Sequence, residues 1–448
     1  MSGTDGVPVI EVETQPRQLL HEARDWGELL ITRQLAEPLF FEIPKRGIAT
    51  RVFEVVKRTD SHTWRLGVDD SIAWSDGRQV LARDICEQVK RVRASGSAAA
   101  VALTLIETVR IVEDRTVELK TRLPVGDIRR LFTSPALGLS HEAGASCGAF
   151  ILQRRLPDRL ILRHTVSGNR LALMTLPDHR GLRAAAKAGA LAVTSLVTGS
   201  SVARQRLGYR LSEADLDIVV GLKFPATMPG ELVERFMAAM DRTRLVPSNL
   251  GVLRPLTRLS ELWRRTSAAE SPSAADNPSA WQCGRSWVLT YNDFYPNRQI
   301  ADSLAVQVHD ALGIALRLVV VPYWHSYSDA GPLPQHTLRL VLVTPAWVHP
   351  AALLTPVALA RRRRGEAPDD FDVHFPRALA AEQMPDAARH AAHAERQLRP
   401  GELPLLPLAR LRAQVAHRAP AVWIPPSGWI DFSAFLNSQD THICGAEQ

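Results

Sequence analysis

Residues 286–321 leave few choices of fold open. An apolar run at Ser286–Leu289, an amphipathic stretch from Asn297 to Leu312, a glycine at 313 and a second apolar run at Ala315–Val321 follow in order. The spacing within 297–312 predicts a helix, Gly313 its C-terminal stop, and the flanking runs predict strands. That order is a βαβ unit, and Leu338–Val343 repeats the strand pattern beyond it. The rest of the chain also mixes strand and helix signals, so the expected class is α/β. With 448 residues and 46% hydrophobic content there is material for two or three domains with real cores. Wholesale disorder, collagen-like chains and small disulfide scaffolds are excluded.

Upstream, residues 1–16 are polar and read as a flexible lead-in. Gln18–Ala36 carries apolar residues at helical spacing, and Val52–Val56 and Thr63–Val68 read as strands. Asp76-Gly77 is a turn, and Asp84 opens a helix with Ile85, Val89 and Val92 on one face. Val109–Leu119 predicts a hairpin turning at Glu113-Asp114-Arg115; Phe150–Gln153, Arg159–His164 and Leu171–Leu176 predict further strands. A helix at Gly181–Gly189, a strand at Val219–Phe224 and a helix at Gly230–Arg242 follow. Thr266–Pro278, small, polar and Pro-bearing, is the sharpest break in composition and marks a linker. Arg361–Arg364 with Glu366, Asp369, Asp370 and Asp372 reads as a charged surface excursion over residues 359–374. Gln383–Gln397 predicts a helix, and Ala421–Phe435 a final strand and turn.

Charge and cysteine usage narrow the chemistry. Lysine plus arginine number 54 against 47 acids, a net +7, with only six lysines. This excess forms no stripe, and the arginine run lacks interleaved aromatics, so no nucleic-acid partner is expected. Cys86, Cys147, Cys283 and Cys444 fall in no CxxC pair and fit free thiols in a reducing compartment. No apolar run approaches the roughly 20 residues of a membrane span. Met1–Gly6 has no basic n-region and no apolar run behind it. As written, the protein is expected in the cytoplasm, and outside it only if the true N-terminus lies elsewhere or export takes another route. GxGxxG, P-loop, HExxH and GxSxG strings are absent, so neither a catalytic residue nor a cofactor is expected.

An ordered series of structural motifs carries more. Thr63–Leu66 is followed by Trp74-Ser75-Asp76-Gly77 and then Ala82-Arg83-Asp84-Ile85; Glu113–Leu119 supplies a hairpin. Cys147-Gly148-Ala149-Phe150 follows, and half preserves the Gly-Thr-Gly-Pro-Tyr string of the family that the whole series resembles. Gly181–Leu196, Glu231–Val246, Leu289–Leu318, Glu402–Leu405 and Gly428-Trp429-Ile430-Asp431-Phe432 complete the series. In this order they resemble the family 5 extracytoplasmic solute-binding proteins, the peptide, nickel and oligosaccharide receptors of ABC importers. The resemblance covers about residues 30–436. The closing Gly-Trp-x-Asp-Phe is also similar to the solute-binding-like C-terminal region of sugar-phosphate-stress transcriptional regulators, whose N-terminal helix-turn-helix has no room here.

The resemblance implies a two-lobed, periplasmic-binding-protein-like fold (type II, cluster C-like) with a hinged interlobe cleft. Its division would be a lead-in at 1–16, a first lobe with a subdomain at 17–265, a linker at 266–280, a second lobe at 281–420, and a closing segment at 421–448 returning to the first lobe. It implies a receptor for a small molecule or modified peptide, with ABC permease and ATPase subunits as partners. The alternative is a cytoplasmic relative acting as ligand sensor, carrier or repurposed enzyme. Peptide receptors of the family hold the ligand's ammonium with an Asp shortly before a Pro; here the matching position in Val343–Pro350 is Ala346, against recognition of a free peptide N-terminus.

Candidate ligand contacts are Trp347 and His349 beside Ala346, Phe150 in the half-preserved motif, and Tyr323 and Trp324 in the aromatic group that includes His325 and Tyr327. That group reads either as cleft lining or as packing that caps the strand ending at Val321. Trp347→Ala is expected to weaken binding far more than stability. His390 and His393, i and i+3 on a helix, suit a metal only with a third ligand that the neighbouring sequence does not offer, so a solvent face and no metal are expected. Cys147 has no assignable His or Asp partner and reads as a buried thiol.

Overall fold

A computed structural model describes residues 7–12, 15–140, 147–175, 184–185, 191–193, 208–245, 253–263, 287–293, 296–322, 333–398, 402–403, 405–419 and 422–438. The chain forms two compact units. One comprises Met1–Arg122, Ile128–Leu216 and Ala413–Gln448; the other comprises Leu123–Asp127 and Asp217–Arg412.

The first unit holds β1 (Val9–Val12), β2 (Phe41–Ile43), β3 (Gly47–Ala49), β4 (Phe53–Arg58) and β5 (Thr63–Val68). It continues with β6 (Ile106–Glu113), β7 (Thr116–Thr121), β8 (Phe150–Arg155), β9 (Arg159–His164) and β10 (Arg170–Thr175). One antiparallel sheet has the order β4-β5-β7-β6, and it contains the predicted hairpin, β6 and β7 closing with Glu113 opposite Thr116. Val117 and Leu119 are buried on it, and the outer strand β6 is mostly exposed. A second sheet has the order β1-β10-β9-β8, with β1 parallel to β10 and the others antiparallel.

Local sequence explains the joints. Gly77 takes a φ of +85° and donates its N–H to the Trp74 carbonyl at 2.8 Å, so Asp76-Gly77 reverses the chain over a buried Trp74. The Asp84 carboxylate accepts the Leu81 N–H at 2.8 Å, closing the start of the helix Ala82–Ala94. The predicted helix over 18–36 is shorter, Trp26–Leu35, preceded by a 3-10 turn at Leu20–Glu22. Asp25 caps it, accepting the Glu28 N–H at 2.9 Å, and Glu28 in turn accepts the N–H groups of Arg17, Gln18 and Arg24. Those bonds hold residues 17–24 in a non-helical path that apolar spacing alone does not reveal.

The second unit is built on a six-stranded sheet. β11 (Arg210–Lys223), β12 (Leu253–Pro255), β13 (Trp287–Tyr291), β14 (Leu316–Val320), β15 (Thr337–Val343) and β16 (Leu406–His417) take the order β12-β16-β11-β15-β13-β14. β13 is parallel to both β14 and β15, and the helix Asn297–Leu312 crosses from β13 to β14 as the sequence predicts. It buries Ile300, Ala301, Leu304 and Val308 and ends at Gly313, whose φ is +65°.

The arrangement departs from the sequence reading in three places, and two further expectations lie wholly or mostly where nothing is described. The division between the units falls at 216/217 and 412/413, inside β11 and β16, instead of near 270. Both strands run straight through it, so no loop composition marks the passage. The predicted linker 266–280 and most of the predicted helix at Gly181–Gly189 lie outside the described residues. The charged excursion is two helices, Thr355–Arg364 and Asp370–Ala380. Helical phase turns Arg361 inward, onto Asp369 at 2.7 Å and Glu402 at 2.8 Å with its guanidinium over the Phe371 ring, and leaves its neighbours in solvent. No strand occurs among the described residues of 421–435, because Pro425 and Pro426 cannot donate to a ladder; Phe432–Ser438 is a 3-10 helix. This segment docks on the helix Trp26–Leu35 through Gln34, which donates to the Ile430 carbonyl at 2.8 Å and accepts the Phe432 N–H at 2.9 Å.

Burial, with Glu28 adding its charge, pushes the Asp25 carboxyl up to about 7 against the backbone hydrogen bonds it accepts. A raised carboxyl contributes stability that is complete below its ordinary value near 3.8 and is lost as pH rises through about 7. Asn caps a helix as well as Asp. Asp25→Asn is therefore expected to leave the melting temperature unchanged near pH 4 and raise it above pH 7 by at least about 2–4 °C, the shift produced by 1 kcal/mol in a domain of this size. Calorimetric melting at the two pH values checks this; equal curves at both would refute it.

Candidate functional site

In the second unit the sheet has a topological switch. The chain goes from β13 to β14 on one side, then returns to place β15 on the other side of β13. Open parallel sheets bind ligands beyond the carboxyl ends of strands at such a point. Asn292 follows β13 there, and Thr344–Pro350 follows β15, which places Ala346, Trp347 and His349 on that edge. Tyr323 and Trp324, with His325 and Tyr327, follow β14 but lie outside the described residues.

The Thr344–Pro350 part of this edge is polar without a charged side chain, whereas Asp293, next to Asn292, is exposed and lies 4.0 Å from Arg298. Trp347 has no exposed surface, and its indole N–H has no hydrogen-bond partner among the described residues. Its carbonyl accepts the His349 N–H at 2.9 Å. His349 Nδ1 accepts the Ala351 N–H at 3.1 Å, which puts the proton of the neutral imidazole on Nε2. Ala346 is half-buried, and no carboxylate occurs in Thr344–Pro350. Asn297, the first residue of the crossover helix, donates to Asn292 Oδ1 at 2.6 Å; both are buried, and Asn297 Oδ1 has no partner among the described residues. The first turn of that helix has no acid.

Phe150 belongs to the first unit and the Trp347 group to the second. It opens β8, is fully buried, and packs edge-on to His164 with ring centroids 5.2 Å apart. Beside it, Gly148 lies so close to the end of the helix Trp26–Leu35 that a Cβ would sit 2.4 Å from the Leu35 carbonyl carbon. Sequence reasoning missed the charged centre of this unit, Glu37. Its carboxylate is buried, 3.6 Å from Arg51, and its Oε1 has no hydrogen-bond partner among the described residues. Arg33 and Arg51 both lie over the Phe41 ring, at 5.6 and 5.3 Å. Burial pushes the Glu37 carboxyl up against the pull of Arg33 and Arg51. The available signal was an acid inside the apolar run Leu35–Phe40.

Other reactive groups are accounted for. Burial, reinforced by Glu37, Asp84 and Asp76, pushes the Cys147 thiol up to about 12, so it is a protonated, inert group. Ser212 Oγ lies 2.8 Å from His417 Nε2, but His417 is buried, its Nδ1 rests on the Ala419 carbonyl, and the pair joins neighbouring strands. His390 and His393 do have a third imidazole beside them, His374, from the neighbouring helix. The rings stack at 23–29°, and among the described residues no group of three or more His, Cys, Asp or Glu is arranged to hold a metal. Nor is any described helix long and apolar enough to cross a membrane.

No protein-family model matches the sequence, and no curated protein matches it. Solved structures do match its fold along nearly the whole chain. MppA, the murein tripeptide binding protein of Escherichia coli, is 16% identical with a TM-score of 0.75, covering 94% of this chain and 95% of that one. AppA, the oligopeptide-binding protein of Bacillus subtilis solved with a nonapeptide, is 11% identical with a TM-score of 0.77, covering 96% and 98%. AgaA of A. tumefaciens R10, solved with agropinic acid, is 13% identical with a TM-score of 0.76, covering 97% and 98%. The chain thus has the α/β fold of the two-lobed solute-binding proteins, as its motif order implies.

Complete burial overturns one expectation: Trp347→Ala does not spare stability. Removing a fully packed aromatic costs about 3–5 kcal/mol, and that loss is expected in denaturant unfolding. Trp347→Phe, which keeps most of the bulk, is the variant suited to binding. Cys147 is expected to react with iodoacetamide at about pH 8 at least about tenfold more slowly than free cysteine; equal rates would refute the assignment.

Proposed function

We propose that this protein captures a small molecule or modified peptide as the receptor of an ABC importer, with permease and ATPase subunits as its partners. The observation that carries the reading is the likeness of fold to ligand-binding receptors over 94–97% of the chain, including proteins solved with a nonapeptide and with agropinic acid. On this reading the ligand residues are the half-buried Ala346 with the buried Trp347 and His349 that follow it, and, from the sequence alone, Tyr323, Trp324 and Phe150. Capture proceeds by enclosure, with affinity set by aromatic surface and a few polar anchors. On this reading the protein works outside the cytoplasm.

Ala346, in a segment Thr344–Pro350 without a carboxylate, favours a ligand without a free ammonium at this place, since a buried ammonium needs a carboxylate partner and the nearby Asp293 already faces Arg298. In thermal-shift assays N-acetyl-trialanine is expected to raise the melting temperature more than trialanine. A ligand at about 100 times its Kd stabilises the folded form by about 2.7 kcal/mol. Trialanine binding better than its acetylated form would remove the ligand assignment. Absence of a shift with peptides, opines, sugars and metal chelates alike, together with recovery from cytosol only, would remove the importer role.

A further inference from the structure

The helices Asp370–Ala380 and Met384–Arg396 pack side by side and meet through imidazoles. His374 Nδ1 lies 3.2 Å from His390 Nδ1, and the His374 ring stacks on His390 and His393 with centroids 5.5 and 4.8 Å apart. Arg396 donates to His393 Nδ1 at 2.9 Å. The same pair of helices carries a strap. Leu123–Asp127 belongs to the second unit, although Arg122 before it and Ile128 after it belong to the first. Gly126 donates its N–H to the Leu379 carbonyl at 2.9 Å, and a Cβ on Gly126 would sit 2.4 Å from the Ala381 carbonyl oxygen.

We propose that His374, His390 and His393 form an acid-sensitive clasp: as neutral imidazoles they hold the two helices together, and on protonation they release both the helices and the strap Leu123–Asp127. The 3.2 Å contact needs at least one neutral ring. One Nδ1 donates only if the other keeps its lone pair, so two protonated rings would turn two N–H groups on each other. Likewise the Arg396 bond needs an unprotonated Nδ1 on His393.

The surroundings sharpen the effect. Facing His390 are His374 and Arg377 from the neighbouring helix, and Arg389 and His393 from its own. Nearby acids are engaged elsewhere: Asp386 accepts from Arg389, and Glu395 accepts the Leu259 N–H. Glu261, on the 3-10 helix packed against Met384–Arg396, accepts from Thr257. Burial, then His374, Arg389, Arg377 and His393, push His390 below its ordinary range. A depressed imidazole contributes stability that is present above the ordinary value of about 6.5 and is lost as pH falls below it. The clasp therefore holds at neutral pH and yields in acid, a regulation of the second unit separate from ligand chemistry.

Hydrogen exchange of the whole protein, corrected for intrinsic rates, tests this locally. That choice matters because buried His417 in the first unit also titrates low and would mix into global melting. Between about pH 7.5 and about pH 5.5, protection of the Gly126 amide and both helices is expected to fall about tenfold. In the double variant His374→Gln/His390→Gln the fall shrinks to less than about twofold. Should that variant not fold, Arg377→Gln/Arg389→Gln removes the facing cations and must also shrink the fall. Unchanged protection across this range in the natural sequence, or the same fall in the variants, would overturn the clasp.

Discussion

Two long strands lying side by side hold the architecture together. β11 and β16 are neighbours in the central sheet, and each passes from one unit into the other. Their side chains are tied at intervals: Arg410 to Asp217 at 2.8 Å, Gln414 to Glu213 at 2.9 Å, and Ser212 to His417 at 2.8 Å. Asp217 is only 3% exposed. A buried ion pair adds little net stability, but one partner displaced by a register slip leaves a charge stranded. These links therefore specify which residues face each other along the ladder, and a shift of one residue would turn every side chain to the opposite face.

Much of this fold was legible where local pattern and local structure coincide. The β6–β7 hairpin, the Asp76-Gly77 reversal, and the strand–helix–strand unit with Gly313 all follow from turn chemistry and spacing. β16 gave no such signal: it is buried on both faces along most of its length, so its residues do not alternate. Arg361 was illegible for the opposite reason. Four successive arginines look solvated, and only the helical phase and the distant Glu402 reveal that one of them is buried. In the candidate site, position after a strand was readable for Ala346, Trp347 and His349. Their burial was not, because it depends on what other segments bring to the edge of the sheet. Glu37 escaped notice because a single acid carries no periodicity.

The surroundings of Glu37 in the first unit and the switch point of the second handle charge differently. The first buries an acid among arginines, with Glu37, Arg33 and Arg51 around the Phe41 ring. At its switch point the second offers an indole, an imidazole in one fixed tautomer and a pair of amides. Neutral donors and acceptors discriminate by geometry and by the penalty of leaving a buried partner unpaired. Charges discriminate by sign.

The last strand also governs the order of assembly. Val193 bridges Ile10 on one side and His417 on the other, and Ala416 packs with Val9, Leu191 and Tyr209. The amino-terminal body thus cannot complete its sheet until the ribosome has made residues more than two hundred positions further on. Residues 217–412, by contrast, are contiguous and need only the short strap from upstream. Pairing across so long a separation is slow, because the intervening chain must be confined before the contact stabilises anything. During synthesis the amino-terminal body therefore waits unfinished, with its edge open, for the tail of the chain to arrive.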